Sequence, residues 1–273
     1  MSVLSQGTLV RYIRSKNHPD IKCSGIVINA RCDLAQNKIK YVSMLSCMTL
    51  DDWIVNVAFF EICETIRKEK YNALNDFCKK YKLNPSILME FGITKAKISI
   101  EACGAKSNEI NKLLPKLEEL AAIENNLKNP PSEDERIGYI KANEKKVKDI
   151  LTKLHNGALT KYCFIPEKAY NRHVNTINNG IVVDLHDIIQ ISYDDYIIIC
   201  EGKCDCRSLD ALEQQRLNMS LLLENDGFVD ADKEHIIQSP WIESLLQHFS
   251  LAYTRIGVEN ATDNEITEYL QSL

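Results

Sequence analysis

Residues 1–45 show the alternation of apolar and polar positions that is typical of half-buried β-strands. Apolar and basic residues alternate with a period of two along Thr8–Arg14. A short β-branched run follows at Gly25–Asn29, and a third apolar run lies at Ile39–Leu45. Polar turns at residues 17–20 and 35–38 separate the three runs. The pattern predicts a small antiparallel meander of the kind that builds SH3-like barrels.

After Asp51 the apolar residues follow the helical period instead. We assign helices to residues 51–83, 85–92, 108–127 and 132–157. Pro115 interrupts the third stripe, so the regular helix either begins or kinks there. Ser132–Glu135 is a capping box that begins the fourth helix. The last two helices are joined by the turn Asn129–Pro131, and together they predict an antiparallel helical hairpin.

Strand patterns return after Gly157. Three apolar runs are assigned to strands: 159–166, 179–184 and 188–192. Residues 196–200 fit a strand or a buried helix equally well. Ser239-Pro240 opens a helix closed by Gly257, and Thr262–Glu265 caps a short final helix. The helix after Pro240 is expected to bury one face, which carries Trp241, Leu245, Leu246, Phe249, Tyr253 and Ile256.

These elements predict an α+β protein. A β-rich, SH3-like region is assembled from residues 1–47 and 158–200, because neither segment is long enough to bury itself alone. The helical hairpin interrupts this region within an insertion over residues 48–157. Residues 201–273 are assigned to a C-terminal helical region, and the acidic stretch 224–234 to a solvated loop.

Charge is unevenly distributed along the 273 residues. The net charge of the chain is −5, and an acidic protein is not expected to coat nucleic acid or anionic membrane generally. Residues 1–45 nevertheless carry seven Lys and Arg against two Asp, which gives +5 and leaves −10 for the remainder. A basic N-terminal segment indicates either a solvated surface or a site for a polyanion. The candidate nucleic-acid-binding residues are Arg11, Lys22, Ser24, Arg31, Lys38 and Lys40.

Cysteine spacing indicates the compartment. Most of the ten cysteines are scattered singly, many of them within apolar runs. The N-terminal segment lacks the charged and apolar regions of a secretory signal, and no apolar run approaches the 18 residues of a membrane span. We therefore expect a cytoplasmic protein with reduced thiols, no membrane association and no cofactor.

A denser cysteine group lies at Cys200, Cys204 and Cys206. Three thiolates around a glycine turn can supply part of a tetrahedral zinc site. No second pair of closely spaced cysteines exists in the chain to complete it. Reduced structural thiols are the favoured interpretation, and zinc remains the alternative.

Polar side chains at two predicted strand ends are further candidates. Asp184, His186 and Asp187 close an apolar strand, and an acid and an imidazole two residues apart share one strand face. Asp33 follows the strand Gly25–Asn29, where a barrel loop would present it to a ligand. The alternative for each is hydrogen bonding to nearby backbone.

The opening residues Gly7-Thr-Leu-Val and Ser24-Gly-Ile-Val-Ile-Asn29 resemble the first strands of the MazF/PemK class of SH3-like toxin ribonucleases. This resemblance implies RNA or a peptide antitoxin as ligand, with Lys22 and Ser24 as the residues carried over. Cys32-Asp33-Leu34 and Arg255-Ile256-Gly257 are similar to segments of uncharacterised accessory proteins of bacterial defence loci. That similarity implies a context and no mechanism.

Two hypotheses follow, and they leave open whether the protein is an enzyme. The favoured one is a non-enzymatic interaction or accessory protein of a bacterial defence or toxin–antitoxin system, whose hairpin or barrel binds another protein. No nucleotide-binding loop, dinucleotide fingerprint or hydrolase signature occurs in the chain. The alternative is an RNA-binding protein or ribonuclease that uses the basic N-terminal strands.

Overall fold

The computed structural model describes residues 5–13, 15–36, 38–169, 179–201, 204–205, 212 and 228–254. It confirms a mixed α+β protein. The chain divides into two compact units. The first comprises residues 1–52 and 152–273, and the second comprises residues 53–151.

An antiparallel sheet forms the centre of the first unit. Its strands are β1 (Thr8–Ile13), β2 (Cys23–Val27), β3 (Tyr41–Thr49), β4 (Tyr162–Ile165), β5 (Ile181–Ser192), β6 (Cys204–Asp205) and β7 (Phe228–Ile236). Five of them form a curled half-barrel in the order β4-β5-β3-β2-β1, and β7 and then β6 extend the sheet beyond β1. The three-stranded meander predicted from residues 8–45 is therefore present as β1, β2 and β3.

The sheet differs from the sequence prediction in two places. The runs 179–184 and 188–192, assigned to separate strands, belong to the single strand β5. The acidic stretch assigned to a solvated loop contains most of β7, which pairs with β1 so that Arg11 lies opposite Asp230. Residues 201–273, expected to be helical, thus contribute strands because pairing with β1 outweighs the polar composition.

Nine α-helices accompany the strands among the described residues. They are α1 (Arg31–Ala35), α2 (Leu50–Trp53), α3 (Phe59–Tyr81), α4 (Ile87–Ala102), α5 (Ser107–Lys128), α6 (Glu133–Ala142), α7 (Glu144–His155), α8 (Tyr193–Glu201) and α9 (Trp241–Thr254). The segment 196–200, undecided from sequence, is helical within α8. None of the described helices is long and apolar enough to cross a bilayer.

Helix α9 covers one face of the curled sheet. Ile242 and Leu245 are fully buried against sheet residues that include Ile26, Leu45 and Val183. The buried face of α9 is rotated slightly about the helix axis from the face expected from sequence. Trp241 is only partly buried, and Tyr253 is 39% exposed. Ile256, Gly257 and the predicted final helix lie outside the described residues.

Helices α3, α4 and α5 share an apolar cluster in the second unit. Its buried members include Leu74, Phe77, Ile100, Leu117 and Leu120. Ion pairs border the cluster, among them Lys80 with Glu109 at 2.7 Å and Arg67 with Glu124 at 3.5 Å. Helix α5 begins at Ser107 and runs through Pro115. The helix predicted over 132–157 is divided at Asn143 into α6 and α7.

Candidate functional site: a buried carboxylate network beside an open strand edge

Strand β5 contains a large bulge at its centre. Leu45 lies opposite Ile188 and Cys47 lies opposite Val183, so residues 184–187 face the single residue Ser46. A bulge interrupts the ladder and turns side chains that would otherwise point along the pleat. The candidates Asp184, His186 and Asp187 all lie in this bulge. The prediction that they close a strand is wrong, because pairing with β3 resumes at Ile188 and continues to Ser192.

Asp184 is completely buried and has several polar partners. Its Oδ2 lies 3.1 Å from Nε2 of His18 and 3.4 Å from the side-chain nitrogen Nδ2 of Asn17. Its Oδ1 accepts the backbone N–H of His186 at 2.9 Å. Nζ of Lys161 lies 3.8 Å from Oδ2. We refer to Asp184 with these partners, together with Ser15 and Asp187, as the carboxylate network.

Asp187 joins the network through Ser15. The buried Ser15 hydroxyl donates to Oδ2 of Asp187 and accepts the backbone N–H of His18 at 2.9 Å. The loop between β1 and β2 is therefore attached to the β5 bulge at two carboxylates. Each of these contacts satisfies a buried polar group of the network, which stabilises the bulge.

The electrostatics of the network favour charge on its carboxylate and neutrality on the nearby thiols. Burial alone would raise the pKa of Asp184, but the hydrogen bonds from His18 and His186 and the charge of Lys161 lower it below its usual value. Burial raises the pKa of the Cys23 thiol to about 11, with a smaller contribution from Asp187, despite the Ser46 hydrogen bond. Cys23 is therefore protonated at neutral pH and is a poor nucleophile.

The edge of β5 beyond the bulge is unpaired in the part of the chain that the structure describes. Strand β4 pairs with β5 only from Ile181 to Asp184, and the Leu185 N–H bond to the Lys161 carbonyl ends that contact. On the other side, β3 pairs with β5 as far as Ser192. Over residues 186–192, therefore, no described strand pairs with one edge of β5.

The hydrogen-bond alternation identifies which backbone groups face this open edge. The Tyr193 N–H donates to the Lys40 carbonyl at 3.0 Å, on the β3 side. Because successive residues of an antiparallel strand direct their N–H and C=O groups to opposite sides, Ile189 and Ile191 bond to β3. Ile188 and Gln190 direct their N–H and C=O groups to the open edge. Ser192 is the N-cap of α8, so its carbonyl accepts the first bond of that helix.

The side chains along this edge form an exposed apolar and aromatic surface. His186 and Gln190 are exposed and Ile188 is 39% exposed, whereas the alternate residues Ile189 and Ile191 are buried. The His186 ring contacts the Tyr253 ring edge-on, with centroids 6.2 Å apart. Tyr41 is 61% exposed, but it lies on β3, on the paired side of β5. We define the edge strip as His186, Ile188, Gln190 and Tyr253.

The basic residues identified from sequence do not form one surface. Arg31, Lys38 and Lys40 are exposed in the segment that joins β2 to β3, and Lys40 directly precedes Tyr41. Lys22 precedes β2 and is therefore separated from them by the length of that strand, about 16 Å for five residues. Arg11 lies within β1, and Ser24 within β2, opposite Cys47.

Two other candidates differ from expectation. Asp33, expected in a loop that presents ligands, lies in α1, and its Oδ1 is 3.6 Å from the Cys32 thiol. Cys206 lies outside the described residues, and the structure describes Cys200 and Cys204 only as backbone in α8 and β6. The seven cysteines whose side chains are described are all free. Among the described residues, no group of three or more ligating side chains is arranged for a metal ion.

Sequence reasoning missed Ser15, Asn17, His18 and Lys161. Residues 15–18 have the composition of a polar turn, and nothing local distinguishes them from one. The partner of His18 is 166 positions away in the chain. The only signal for the contact between His18 and Asp184 was the occurrence in the sequence of an acidic residue within an apolar strand and of a histidine within a polar turn.

Comparisons of the chain with protein-family models, with curated proteins and with solved structures found no match.

Proposed function

We propose that this chain is a non-enzymatic interaction protein that binds a protein partner through the open edge of β5. The partner contributes an extended segment that pairs with Ile188 and Gln190 as an additional strand. The single observation that carries the proposal is that the outward backbone groups of these two residues have no partner strand among the described residues. Unpaired groups of this kind are a template for strand addition, and peptide-binding domains use them in this way.

The composition of the edge supports the same function. Native proteins protect solvent-exposed edges with lysine, proline or very short strands. Residues 188–192 contain no charged residue and no proline. The edge strip adds exposed apolar area beside the backbone row, and anchoring aromatic residues are enriched at interfaces. An accessory role is the context implied by the resemblance to proteins of bacterial defence loci.

The carboxylate network serves this function by holding the edge in place. It fixes the bulge immediately before Ile188, so Ile188 and Gln190 are ordered before a partner arrives. Preorganisation of this kind lowers the entropic cost of binding. The protonated Cys23 and the fully hydrogen-bonded Asp184 match a structural role better than nucleophilic chemistry.

A photo-crosslinking amino acid at Ile188 tests the proposal in cells that naturally contain the protein. We expect a discrete covalent adduct with a protein. Gln190→Pro should abolish it by removing an outward N–H, whereas Gln190→Ala should retain it because the backbone is unchanged. Absence of any adduct, or an adduct insensitive to Gln190→Pro in a folded variant, would contradict strand addition.

A second candidate, RNA binding, is supported by the exposed Tyr41 ring close in sequence to Lys38 and Lys40. Aromatic rings stack on bases, and nearby cations contact phosphates. If Arg31, Lys38 and Lys40 each contact one phosphate of a single strand, the log–log salt slope of binding is about −2.1. Tyr41→Ala should then weaken RNA binding at low salt. Binding that is lost with Lys22→Ala or Ser24→Ala, or RNA cleavage, would instead favour the ribonuclease function.

A further inference from the structure

A small cavity lies in the first unit between α9 and the turn 157–160 that leads into β4. Its volume is about 110 Å³. Leu185, Leu251 and Ala252 belong to its apolar wall, and Thr160 and His248 supply its polar side chains. The cavity therefore combines an apolar surface with a small number of polar groups, which is the composition of a small-molecule site.

The backbone of α9 fixes the tautomer of His248. Its Nδ1 lies 2.8 Å from the carbonyl oxygen of Ser244, one turn earlier in the helix. Because a carbonyl oxygen only accepts hydrogen bonds, Nδ1 carries the proton. In the neutral imidazole, Nε2 is then an acceptor, and no described residue donates a hydrogen bond to it.

Gly157 brings the turn close to this acceptor. Its φ of +65° lies in the left-handed region, which glycine adopts without strain. A Cβ atom at this position would lie 2.9 Å from Nε2 of His248. A side chain here would therefore press against the imidazole, whereas glycine leaves Nε2 unobstructed on that side.

We infer that this cavity binds a small uncharged molecule that combines an apolar ring with one hydroxyl or N–H group. The donor bonds to Nε2 of His248, and the ring packs against Leu185 and Ala252. An apolar cavity of about 150 Å³ holds benzene, so a single ring is the largest group that fits here. Leu251, which is 56% exposed, lies at the mouth.

Anionic ligands match the cavity less well. A carboxylate offers no proton to Nε2 in the neutral imidazole, and its charge would lose water against leucine side chains. A ring without a donor fills the same space but leaves Nε2 unpaired, which costs free energy in a partly buried site. The hydrogen-bond donor is therefore the feature that selects the ligand.

Binding in this cavity goes beyond the proposed function, because it uses side chains of α9 and of the turn 157–160 and requires no strand pairing at the edge of β5. Phenol and toluene test it as a matched pair, since a hydroxyl in one replaces a methyl group in the other. Nuclear magnetic resonance of the full chain follows the methyl groups of Leu185, Leu251 and Ala252. Phenol at millimolar concentration should shift these resonances saturably, and toluene should bind about tenfold more weakly.

Three variants locate the ligand. His248→Leu should remove the preference for phenol, because the acceptor is lost. Gln247→Leu is the matched control on the same helix, outside the cavity wall, and should retain the preference. Gly157→Ala should weaken the binding of phenol, because its Cβ occupies the space beside Nε2. Circular dichroism confirms the fold, and if Gly157→Ala does not fold, His248→Leu decides the question.

Three outcomes overturn the inference. They are the absence of a saturable shift at the three methyl-bearing residues, equal affinities of the wild type for phenol and toluene, and a preference for phenol that survives in His248→Leu. Capture of a protein by the crosslinker at Ile188 is independent of all three, so failure at the cavity is distinguishable from failure of the proposed function.

Discussion

Asp184 is a carboxylate without exposed surface in a strand that is otherwise apolar over residues 181–185. A charge in such a position is tolerated only with close partners. Lys161 supplies opposite charge, His18 supplies a side-chain hydrogen-bond partner, and the His186 N–H supplies a backbone donor. The carboxylate network therefore ties the loop 15–18 to the strand whose edge we propose as the binding site.

Removal of the His18 ring should destabilise the protein. We expect His18→Ala to lower the free energy of unfolding by about 2 kcal/mol, because a buried carboxylate loses a charge-assisted hydrogen bond. Lys22→Ala, an exposed change close to the same loop, should cost less than about 0.5 kcal/mol. Urea denaturation at pH 7 measures both, and equal costs would contradict the assignment.

The acid dependence of stability should report on Asp184. Its pKa is lowered in the folded state, so its contribution is present above the unfolded value of about 3.9 and is lost as the pH falls through the lower folded value. Asp184→Asn should be less stable than the wild type at pH 7 and should lose less stability on acidification. Asp20→Asn is the control in the exposed part of the loop. Parallel pH profiles of Asp184→Asn and the wild type would be the contrary result.

At the scale of elements, α9 and β5 decide how the first unit is built. Helix α9 buries Leu245 completely, whereas Leu251 on the same helix is 56% exposed. Leu245→Ala should therefore cost about 3 kcal/mol, within the range for buried leucines. Leu251→Ala, the identical change at an exposed position, should cost less than about 0.5 kcal/mol. Similar losses for the two variants would mean that the buried face of α9 is assigned incorrectly.

The sequence predicted elements best where the pattern was local. Alternation over residues 8–45 correctly indicated β1, β2 and β3, and the capping box correctly placed the start of α6 at Ser132. Strand β5 was divided in two because Asp184, His186 and Asp187 have the composition of a strand end. Their burial depends on Ser15 and His18, which no local pattern connects to them. The unpaired edge of β5 could not be predicted from the sequence either, because it depends on the residue at which pairing with β4 ends.

At the scale of the whole molecule, the two ends of the sheet are unequal. At one end, β6 is described over two residues. At the other end, β5 extends beyond the last strand, β4, as a run without charge or proline. Arg31, Lys38 and Lys40 lie in the segment that leads into β3 and Tyr41. The affinities of protein binding through the edge and of RNA binding near Tyr41 should therefore differ in their dependence on salt concentration. Backbone pairing depends little on ionic strength, whereas phosphate contacts depend on it steeply.

Amide hydrogen exchange along β5 tests the central claim most directly. In dilute solution, the amides of Ile188 and Gln190 should exchange rapidly, while those of Ile189 and Ile191, which bond to β3, should be protected. Protection of Ile188 and Gln190 should appear only when a partner occupies the edge. Protection of all four amides at every concentration, in a chain that light scattering shows to be monomeric, would mean that the edge is already covered and would contradict the account.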